Sequence, residues 1–162
     1  MFFFAILLNV KANLDQGSKL IEMQSNKYAF ITDLGRAVRV QSNKDDPDSS
    51  EAKSVLHLVR KADEKFYIQF SSERFLCVKE DSDKVVSCEN ETDKNTLWEV
   101  VPGDDDGYAL KTIDNKCLRI GAFDNKKFSK GLRLKVVKCK KTLDYKWRIK
   151  DFLLDSNEYE GG

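Results

Sequence analysis

Three segments of the chain repeat one pattern of aromatic, turn and aliphatic residues, and this repetition is the strongest constraint on its fold. Each copy begins with an apolar run led by an aromatic residue, passes through a polar turn, and continues with a basic residue and two alternating aliphatic residues. The leading runs are 28–32, 66–70 and 108–112, and the aliphatic pairs are Val38/Val40, Leu76/Val78 and Leu118/Ile120. Alternation with a period of two between turn residues predicts a strand–turn–strand unit in each copy.

A second set of matching segments gives the length of the repeat. These segments are 55–59, 97–101 and 146–150. The second and third carry a tryptophan at the same position, Trp98 and Trp147, where the first carries Leu56. Leu56 precedes Phe66 by ten residues, and Trp98 precedes Tyr108 by the same ten. No segment keeps a helical i, i+3, i+4, i+7 apolar pattern over a useful length, so the sequence predicts an all-β protein.

Three copies of a four-stranded unit predict a β-trefoil. A unit of about 40 residues also suits a propeller blade, but a propeller needs roughly four to eight blades to close. Three units that cannot bury their own apolar faces have to share one core, and closing the ring removes exposed strand edges. We therefore expect an all-β trefoil domain over 18–151, with Trp98 and Trp147 in its core. The three pseudo-repeats are expected at about 18–62, 63–104 and 105–151.

Both ends of the chain differ from these repeats. Residues 1–12 open with an apolar block that ends at Leu8, which is too short for a membrane-spanning helix of about 20 residues. The following Val10-Lys11-Ala12 is typical of a signal-peptide cleavage site. We expect a signal peptide over 1–12 and hence a secreted protein, with an N-terminal core strand as the alternative. Residues 152–162 are polar and acidic after Phe152, Leu153 and Leu154, which predicts a flexible acidic tail.

The charge balance excludes several classes of partner. The chain has 28 Lys and Arg against 27 Asp and Glu, a net charge of +1, whereas a generic binder of nucleic acid or acidic membranes needs a surplus of positive charge. Within this balance the third copy is locally basic, with lysines at 126–127, 130, 138 and 140–141, which suits an anionic glycan or an acidic partner. The acidic run 104–106 lacks the spacing of a calcium loop and is interpreted as a turn.

The residues offer little for catalysis or for metal binding. The single histidine, His57, excludes a histidine-rich metal site. No motif indicates a cofactor, and no paired carboxylates stand in a recognisable catalytic arrangement. We therefore expect a protein that is not an enzyme, the alternative being a cysteine nucleophile with His57 as its base.

Four cysteines, Cys77, Cys88, Cys117 and Cys139, suggest two disulfides in a small secreted chain. Four cysteines allow three pairings, and all three are open at this point. Zinc is disfavoured because no CxxC pair exists. In a secreted protein, Asn90-Glu91-Thr92 is a glycosylation sequon, which predicts that Asn90 lies on an exposed loop.

The repeats resemble those of ricin B-type lectin domains, a family of β-trefoils. In the third copy, segments 117–120, 131–139 and 146–149 are similar to that family's Cys-Leu-Asp-Val, Gly-x-x-Val-x-Leu-aromatic-x-Cys and Gln-x-Trp motifs. The second copy keeps Cys88 and Asn95-Thr96-Leu97-Trp98, which is similar to the family's Asn-Gln-x-Trp. The first copy lacks the cysteines and the tryptophan. The resemblance covers about 18–151 and is to a divergent member.

The resemblance implies a disulfide inside each cysteine-containing repeat, and hence the pairs Cys117–Cys139 and Cys77–Cys88. In the ungapped repeat alignment, however, Phe75 rather than Cys77 matches Cys117. We therefore expect Cys77 on the opposite face of its strand, where a bridge to Cys88 requires a slipped register.

The resemblance also implies carbohydrate binding in shallow pockets, where a carboxylate and an amide hydrogen-bond sugar hydroxyls and an aromatic ring stacks on the sugar. Asn95 matches the family's sugar-contacting Asn, and Asp144 is its counterpart in the third copy. The family's Asp corresponds to Arg119 in the third copy and, counted from the cysteine, to Lys79 in the second. The stacking aromatic is replaced by valine in both. Basic side chains donate but cannot accept, so these four candidate carbohydrate-binding residues favour a ligand other than neutral galactose.

Two functions follow from these expectations. The first is a secreted, non-catalytic carbohydrate-binding protein similar to ricin B-type lectins, with degenerate sugar sites and a glycan or glycoprotein as its partner. The alternative is a secreted β-trefoil that binds a protein, as an effector or an inhibitor, and has lost sugar binding. Neither function needs a metal, a cofactor, nucleic acid or a membrane span.

Overall fold

Twelve β-strands form most of the described part of the chain, residues 14–42, 52–121 and 131–152 of a computed structural model, the side chains of 27 and 28 excepted. The strands are β1 (Lys19–Met23), β2 (Asn26–Asp33), β3 (Val38–Ser42), β4 (Leu56–Ala62), β5 (Lys65–Phe70), β6 (Phe75–Val78), β7 (Val85–Cys88), β8 (Leu97–Pro102), β9 (Tyr108–Lys111), β10 (Lys116–Ile120), β11 (Leu132–Lys138) and β12 (Trp147–Asp151). A helix, α1 (Asp93–Thr96), precedes β8, and a 3₁₀ turn at Ala52–Ser54 precedes β4. The predicted signal peptide at 1–12 and residues 153–162 of the predicted tail lie outside the described residues. Within those residues, no helix has the length and apolar character to cross a membrane.

Six of the strands close into a barrel. β1 pairs with β4 and β12, β5 pairs with β4 and β8, and β9 pairs with β8 and β12, so each strand of the ring has a neighbour on both sides. Each repeat contributes its first and its last strand to this ring. Closure therefore occupies both edges of every barrel strand, as expected for three units that share one core.

The other six strands form three hairpins, β2–β3, β6–β7 and β10–β11, which we call the hairpin triplet. Each hairpin pairs with the first barrel strand of its own repeat. The hairpins also pair with one another, at Leu132 and Val40, at Ala37 and Val86, and at Lys84 and Lys135. Each hairpin thus contacts both others around a pseudo-threefold axis. The barrel and the hairpin triplet together are a β-trefoil of three four-stranded repeats, which confirms the predicted fold class.

Two equivalent tryptophans pack in the shared core. Trp98 and Trp147 are buried, and each donates its indole Nε1–H to a carbonyl oxygen in the second strand of its own repeat. Trp98 donates to Leu76 at 3.0 Å and Trp147 to Leu118 at 3.1 Å. Leu56, also fully buried, takes the corresponding position in the first repeat. The predicted core positions of both tryptophans are confirmed.

The alignment of the first copy is corrected by the strand pairing. Segment 28–32, which was aligned with 66–70 and 108–112, lies in β2, whereas those two segments begin in the barrel strands β5 and β9. The first barrel strand of the first repeat is instead β1. Its Lys19 lies opposite Leu56 of β4, just as Phe66 of β5 lies opposite Trp98 of β8. The error arises because β2 is as apolar as a barrel strand, while β1 has no aromatic residue.

Both local disulfides are formed, Cys117–Cys139 with a Cα–Cα distance of 5.1 Å and Cys77–Cys88 with 6.1 Å. The expected slipped register is wrong, because the β6–β7 ladder runs without interruption and pairs Cys77 with Val86. Each disulfide joins a cysteine to the residue two positions beyond its direct partner on the other strand. Relative to the third repeat the second bridge is shifted by two residues along its strands. Because the side-chain period of a strand is two, this shift leaves Cys77 on the same strand face as its counterpart Cys117, so the expected opposite face is also wrong.

Candidate functional site

A cleft of about 340 Å³ lies where the β6–β7 turn, α1 and the start of β10 meet. It contains two of the four predicted carbohydrate-binding residues, Lys79 and Asn95. Its lining residues are Val78, Lys79, Asp81, Ser82, Asp83, Lys94, Asn95, Thr112, Asp114 and Lys116. The second and third repeats both contribute, so the cleft depends on how the two repeats pack together.

The position of Asn95 is set by the capping of α1. Thr92 is the N-cap, with extended backbone (φ −141°, ψ 144°), and its hydroxyl accepts a hydrogen bond from the Asn95 amide at 3.2 Å. Thr96 returns the interaction, since its hydroxyl accepts from the Thr92 amide at 2.8 Å and donates to the Thr92 carbonyl at 2.7 Å. This reciprocal capping satisfies the free amides of a very short helix. It fixes the backbone of Asn95 at the cleft through the side-chain hydroxyls of Thr92 and Thr96.

Glu80 completes the site. The Asn95 side-chain amide donates from Nδ2 to Glu80 Oε2 at 2.9 Å, and Lys94 Nζ donates to Oε1 at 2.8 Å. The hydrogen bond from Lys94, followed by that from Asn95, lowers the pKa of the Glu80 carboxyl, and Glu80 in turn raises the pKa of Lys94. At neutral pH the site therefore presents a carboxylate and an amide, bonded to each other, whose remaining lone pairs and second N–H can bind hydroxyl groups.

Sequence reasoning missed Glu80, because the run 80–83 has the composition of a solvated acidic loop. One signal was available. The family's Asp corresponds to Lys79 when counted from Cys77, and Glu80 is the next residue, so the carboxylate is displaced by one position.

Lys79 and Lys116 supply positive charge at the same cleft. The Lys79 backbone closes the β6–β7 turn, with its amide donating to the Lys84 carbonyl at 2.9 Å. The Lys79 side chain is exposed and has no ion pair with another described residue. Lys116, from the third repeat, donates to Asp83 Oδ1 at 2.8 Å, and that hydrogen bond raises the pKa of the Lys116 ammonium. The cleft lining therefore contains both ammonium groups and carboxylates, the latter from Asp81, Asp83 and Asp114.

The other two predicted residues, Arg119 and Asp144, meet in the third repeat, outside this cleft. Arg119 Nη2 lies 3.5 Å from Asp144 Oδ2, and Lys140 Nζ lies 3.6 Å from the same oxygen. Arg119 also donates from Nη1 to the Leu118 carbonyl at 2.9 Å. Asp144 is equivalent to Asn95, since each lies three residues before a core tryptophan. In the third repeat this position is thus occupied by an ion pair within the protein.

The aromatic side chain of Tyr67 contacts α1 and supports the helix, and it does not line the cleft. Its phenolic O–H donates to Asp93 Oδ1 in the first turn of α1. That hydrogen bond, with a smaller contribution from burial, raises the pKa of Tyr67 to about 12. The cleft-lining set contains no aromatic residue. A stacking platform for a sugar ring is therefore missing from this wall of the site.

The remaining predictions have mixed outcomes. Asn90 is exposed, as the sequon predicted, while its glycosylation stays a prediction. Cys77, Cys88, Cys117 and Cys139 are all in disulfides, which removes any free thiol that could act as a nucleophile with His57. No group of three His, Cys, Asp or Glu side chains in the described ranges could hold a metal ion.

No protein-family model and no curated protein sequence matches the chain. Among solved structures, the designed threefold-symmetric protein ThreeFoil has a TM-score of 0.65 at 18% identity, covering 84% of this chain and 99% of ThreeFoil. SeviL bound to asialo-GM1 saccharide has a TM-score of 0.62 at 19% identity, covering 85% of this chain and 98% of SeviL. The Polyporus squamosus lectin bound to Neu5Acα2-6Galβ1-4GlcNAc has a TM-score of 0.62 at 10% identity, covering 83% of this chain and 49% of the lectin chain. At such identities the similarity shows the β-trefoil fold that the resemblance implied.

Proposed function

We propose that the chain is a secreted, non-catalytic carbohydrate-binding protein that holds a glycan at the cleft of Glu80 and Asn95. The observation that carries this proposal is the 2.9 Å hydrogen bond from the side-chain amide of Asn95, a residue of the polar cleft lining, to the Glu80 carboxylate. A charged carboxylate paired with an amide matches the alternating donors and acceptors of adjacent sugar hydroxyls.

The composition of the cleft determines which glycans suit it. Without a stacking ring, most of the binding energy has to come from hydrogen bonds, each of which contributes only about 0.5–1.5 kcal/mol net. Lys79, which has no ion pair with a described residue, can bind an anionic group of a sugar, whereas Lys116 is paired with Asp83 and the lining also carries Asp81 and Asp114. We therefore expect weak binding of neutral galactosides, and stronger binding of sialylated or sulfated ones where the anionic group reaches Lys79.

The structural neighbours support this proposal at a coarse level. The solved structures of SeviL and of the Polyporus squamosus lectin both contain a bound saccharide, and both share the fold of this chain. The two disulfides support an oxidising, extracellular setting. The predicted signal peptide at 1–12 adds a route to that setting.

A glycan array with galactosyl, sialylated and sulfated glycans tests the proposal. Glu80→Gln should abolish array binding, because it removes the charged acceptor while keeping the shape of the side chain. Glu89→Gln is the matched control, since Glu89 is an exposed carboxylate of the same repeat that pairs with Arg74 at 3.4 Å, away from the cleft. Array binding that survives Glu80→Gln, or is lost equally in Glu89→Gln, contradicts the assignment of the site.

One observation favours the alternative function. In the third repeat, the Arg119–Asp144 ion pair takes the place of sugar-binding groups. If the second repeat is equally inactive, the chain is a β-trefoil that binds a protein as an effector or an inhibitor. In that case the array is blank for the wild type, and the chain recovers a specific protein from extracellular material.

A further inference from the structure

A dense group of cations surrounds strand β11 on the outer face of the hairpin triplet. Along β11 the buried residues Leu132, Leu134 and Val136 alternate with the exposed Arg133 and Lys135. Because successive side chains of a strand point to opposite faces, Arg133 and Lys135 share the outward face, about 7 Å apart.

The strands on both sides of β11 place further cations opposite these two. Arg39 of β3 lies directly opposite Arg133. Arg119 of β10 lies opposite Lys135 on one side, and Lys84 forms a bridge with Lys135 on the other. Directly opposite residues have Cβ atoms about 4.5–5.5 Å apart. We call these five residues, Arg39, Lys84, Arg119, Arg133 and Lys135, the β11 cation cluster.

The cluster is largely unneutralised by the described part of the chain. Only Arg119 has an ion pair there, with Asp144. Like charges directly opposite each other on neighbouring strands are destabilising. The pKa of Arg39 is lowered, first by burial and then by the charge of Arg133. The whole chain carries a net charge of only +1. The cluster is therefore a local concentration of positive charge in a chain that has almost no overall excess of it.

The platform that carries the cluster is rigid. The Cys117–Cys139 disulfide joins β10 to the residue after β11. At the other end of β11, Gly131 lies so close to β3 that an added Cβ would stand 2.8 Å from the Arg39 Cβ. Val136 is further tied to the β6–β7 turn by donating to the Asp83 carbonyl at 2.9 Å. A fixed platform reduces the ordering cost of binding.

We propose that the β11 cation cluster binds a linear sulfated polysaccharide. Guanidinium groups match the oxygens of a tetrahedral oxyanion in paired hydrogen bonds, and lysines add point charges between them. Five cations spread over three neighbouring strands and the β6–β7 turn suit a ligand with several anionic groups at regular spacing better than a single acidic side chain. The two disulfides indicate an oxidising compartment, where a polysaccharide is a more fitting polyanion than a nucleic acid.

This site is independent of the cleft of Glu80 and Asn95. None of the five cations lines that cleft. The two sites can therefore fail separately: Glu80→Gln tests the cleft and should leave polysaccharide binding unchanged.

The experiment measures binding of a size-defined heparin oligosaccharide to the full chain over a series of salt concentrations. We expect Arg133→Gln/Lys135→Gln to weaken binding by about tenfold or more, and to reduce the slope of log K against log salt by about two. The matched control is Lys61→Gln/Lys65→Gln, which removes two exposed lysines from the first β-hairpin of the barrel, β4–β5, and should leave affinity and slope unchanged.

Further measurements keep the proposal open to refutation. The double variant should unfold at a temperature no lower than the wild type, since it removes like-charge contacts. If it does not fold, the single variant Lys135→Gln, at an exposed position, should reduce the salt slope by about one. Three results would each overturn the proposal: no binding of heparin by the wild type, an equal loss of affinity in the control variant, or equally tight binding of a DNA duplex of matched charge.

Discussion

Trp147 combines two roles in one residue, since its ring fills the shared core and its indole N–H satisfies the Leu118 carbonyl. We expect Trp147→Ala to destabilise the fold by about 3–5 kcal/mol, the usual range for removing a large buried aromatic. Trp147→Phe keeps most of the apolar contact but leaves the carbonyl unpaired, at a cost of about 1–3 kcal/mol. Urea unfolding with the disulfides intact measures both values. A loss below 1 kcal/mol for the alanine variant would mean that the ring is not a core residue.

Gly131 is a second position where one residue decides local geometry. It has φ +91°, and an added Cβ would meet the Arg39 Cβ at 2.8 Å and the Val40 carbonyl oxygen at 3.0 Å. Gly131→Ala should therefore cost more than the roughly 1–2 kcal/mol of left-handed backbone strain alone. Gly35→Ala is the control, because Gly35 has φ +93° but nothing within 4 Å of its Cβ position. Equal losses of unfolding free energy in the two variants would contradict the close contact of β11 with β3.

At this scale the sequence did not predict how the candidate residues are arranged, and their sugar binding stays a prediction. Asn95 and Lys79 do line one cleft, but the carboxylate that bonds Asn95 is Glu80, which only a one-residue displacement from the family pattern could indicate. Arg119 and Asp144 were predicted as carbohydrate-binding residues of the third repeat, and they form an ion pair with each other. Side-chain pairing of this kind depends on tertiary distances, which spacing in a sequence does not encode.

Among the elements, helix α1 couples strand β5 to the candidate site through Tyr67 and Asp93. The pKa of Tyr67, raised to about 12 from an ordinary value of 10.0, means that the folded state holds this proton more tightly than the unfolded chain. Its contribution to stability is therefore fully present below pH 10 and is lost as the pH rises through about 12. We expect tyrosinate absorbance to show a late-titrating tyrosine that is absent from Tyr67→Phe. Identical titration curves above pH 10 would contradict the Tyr67–Asp93 bond.

The two disulfides belong to equivalent hairpins but close loops of different length. Their cysteines are 22 and 11 residues apart. In the chain-entropy description each bridge stabilises by about 3 kcal/mol, and doubling the loop adds about 0.6 kcal/mol. Replacing Cys117 and Cys139 by alanine should therefore cost somewhat more than replacing Cys77 and Cys88, as measured by urea midpoints at constant m. A larger loss on removing the shorter loop would show that local packing, and not loop closure, sets the cost.

For the whole molecule, the number of repeats and the trefoil itself could be predicted from the sequence, because barrel closure follows from how many units share a core. The alignment of the first repeat could not. With Phe30 and Ile31, β2 is as apolar as a barrel strand. A pattern of period two therefore does not distinguish a hairpin strand from a barrel strand. The pairing of β1 with β4, at Lys19 and Leu56, and with β12 shows that β1 closes the ring.

The most direct test of the proposed function is a nuclear magnetic resonance titration of the labelled chain with lactose and with sialyllactose. We predict shifts of the backbone and side-chain amides of Asn95 and of the neighbouring Lys79 and Lys94, larger for sialyllactose than for lactose, and lost in Glu80→Gln. Ligand-induced shifts confined to other parts of the surface, or no shifts with either sugar at millimolar concentration, would contradict glycan binding at this cleft.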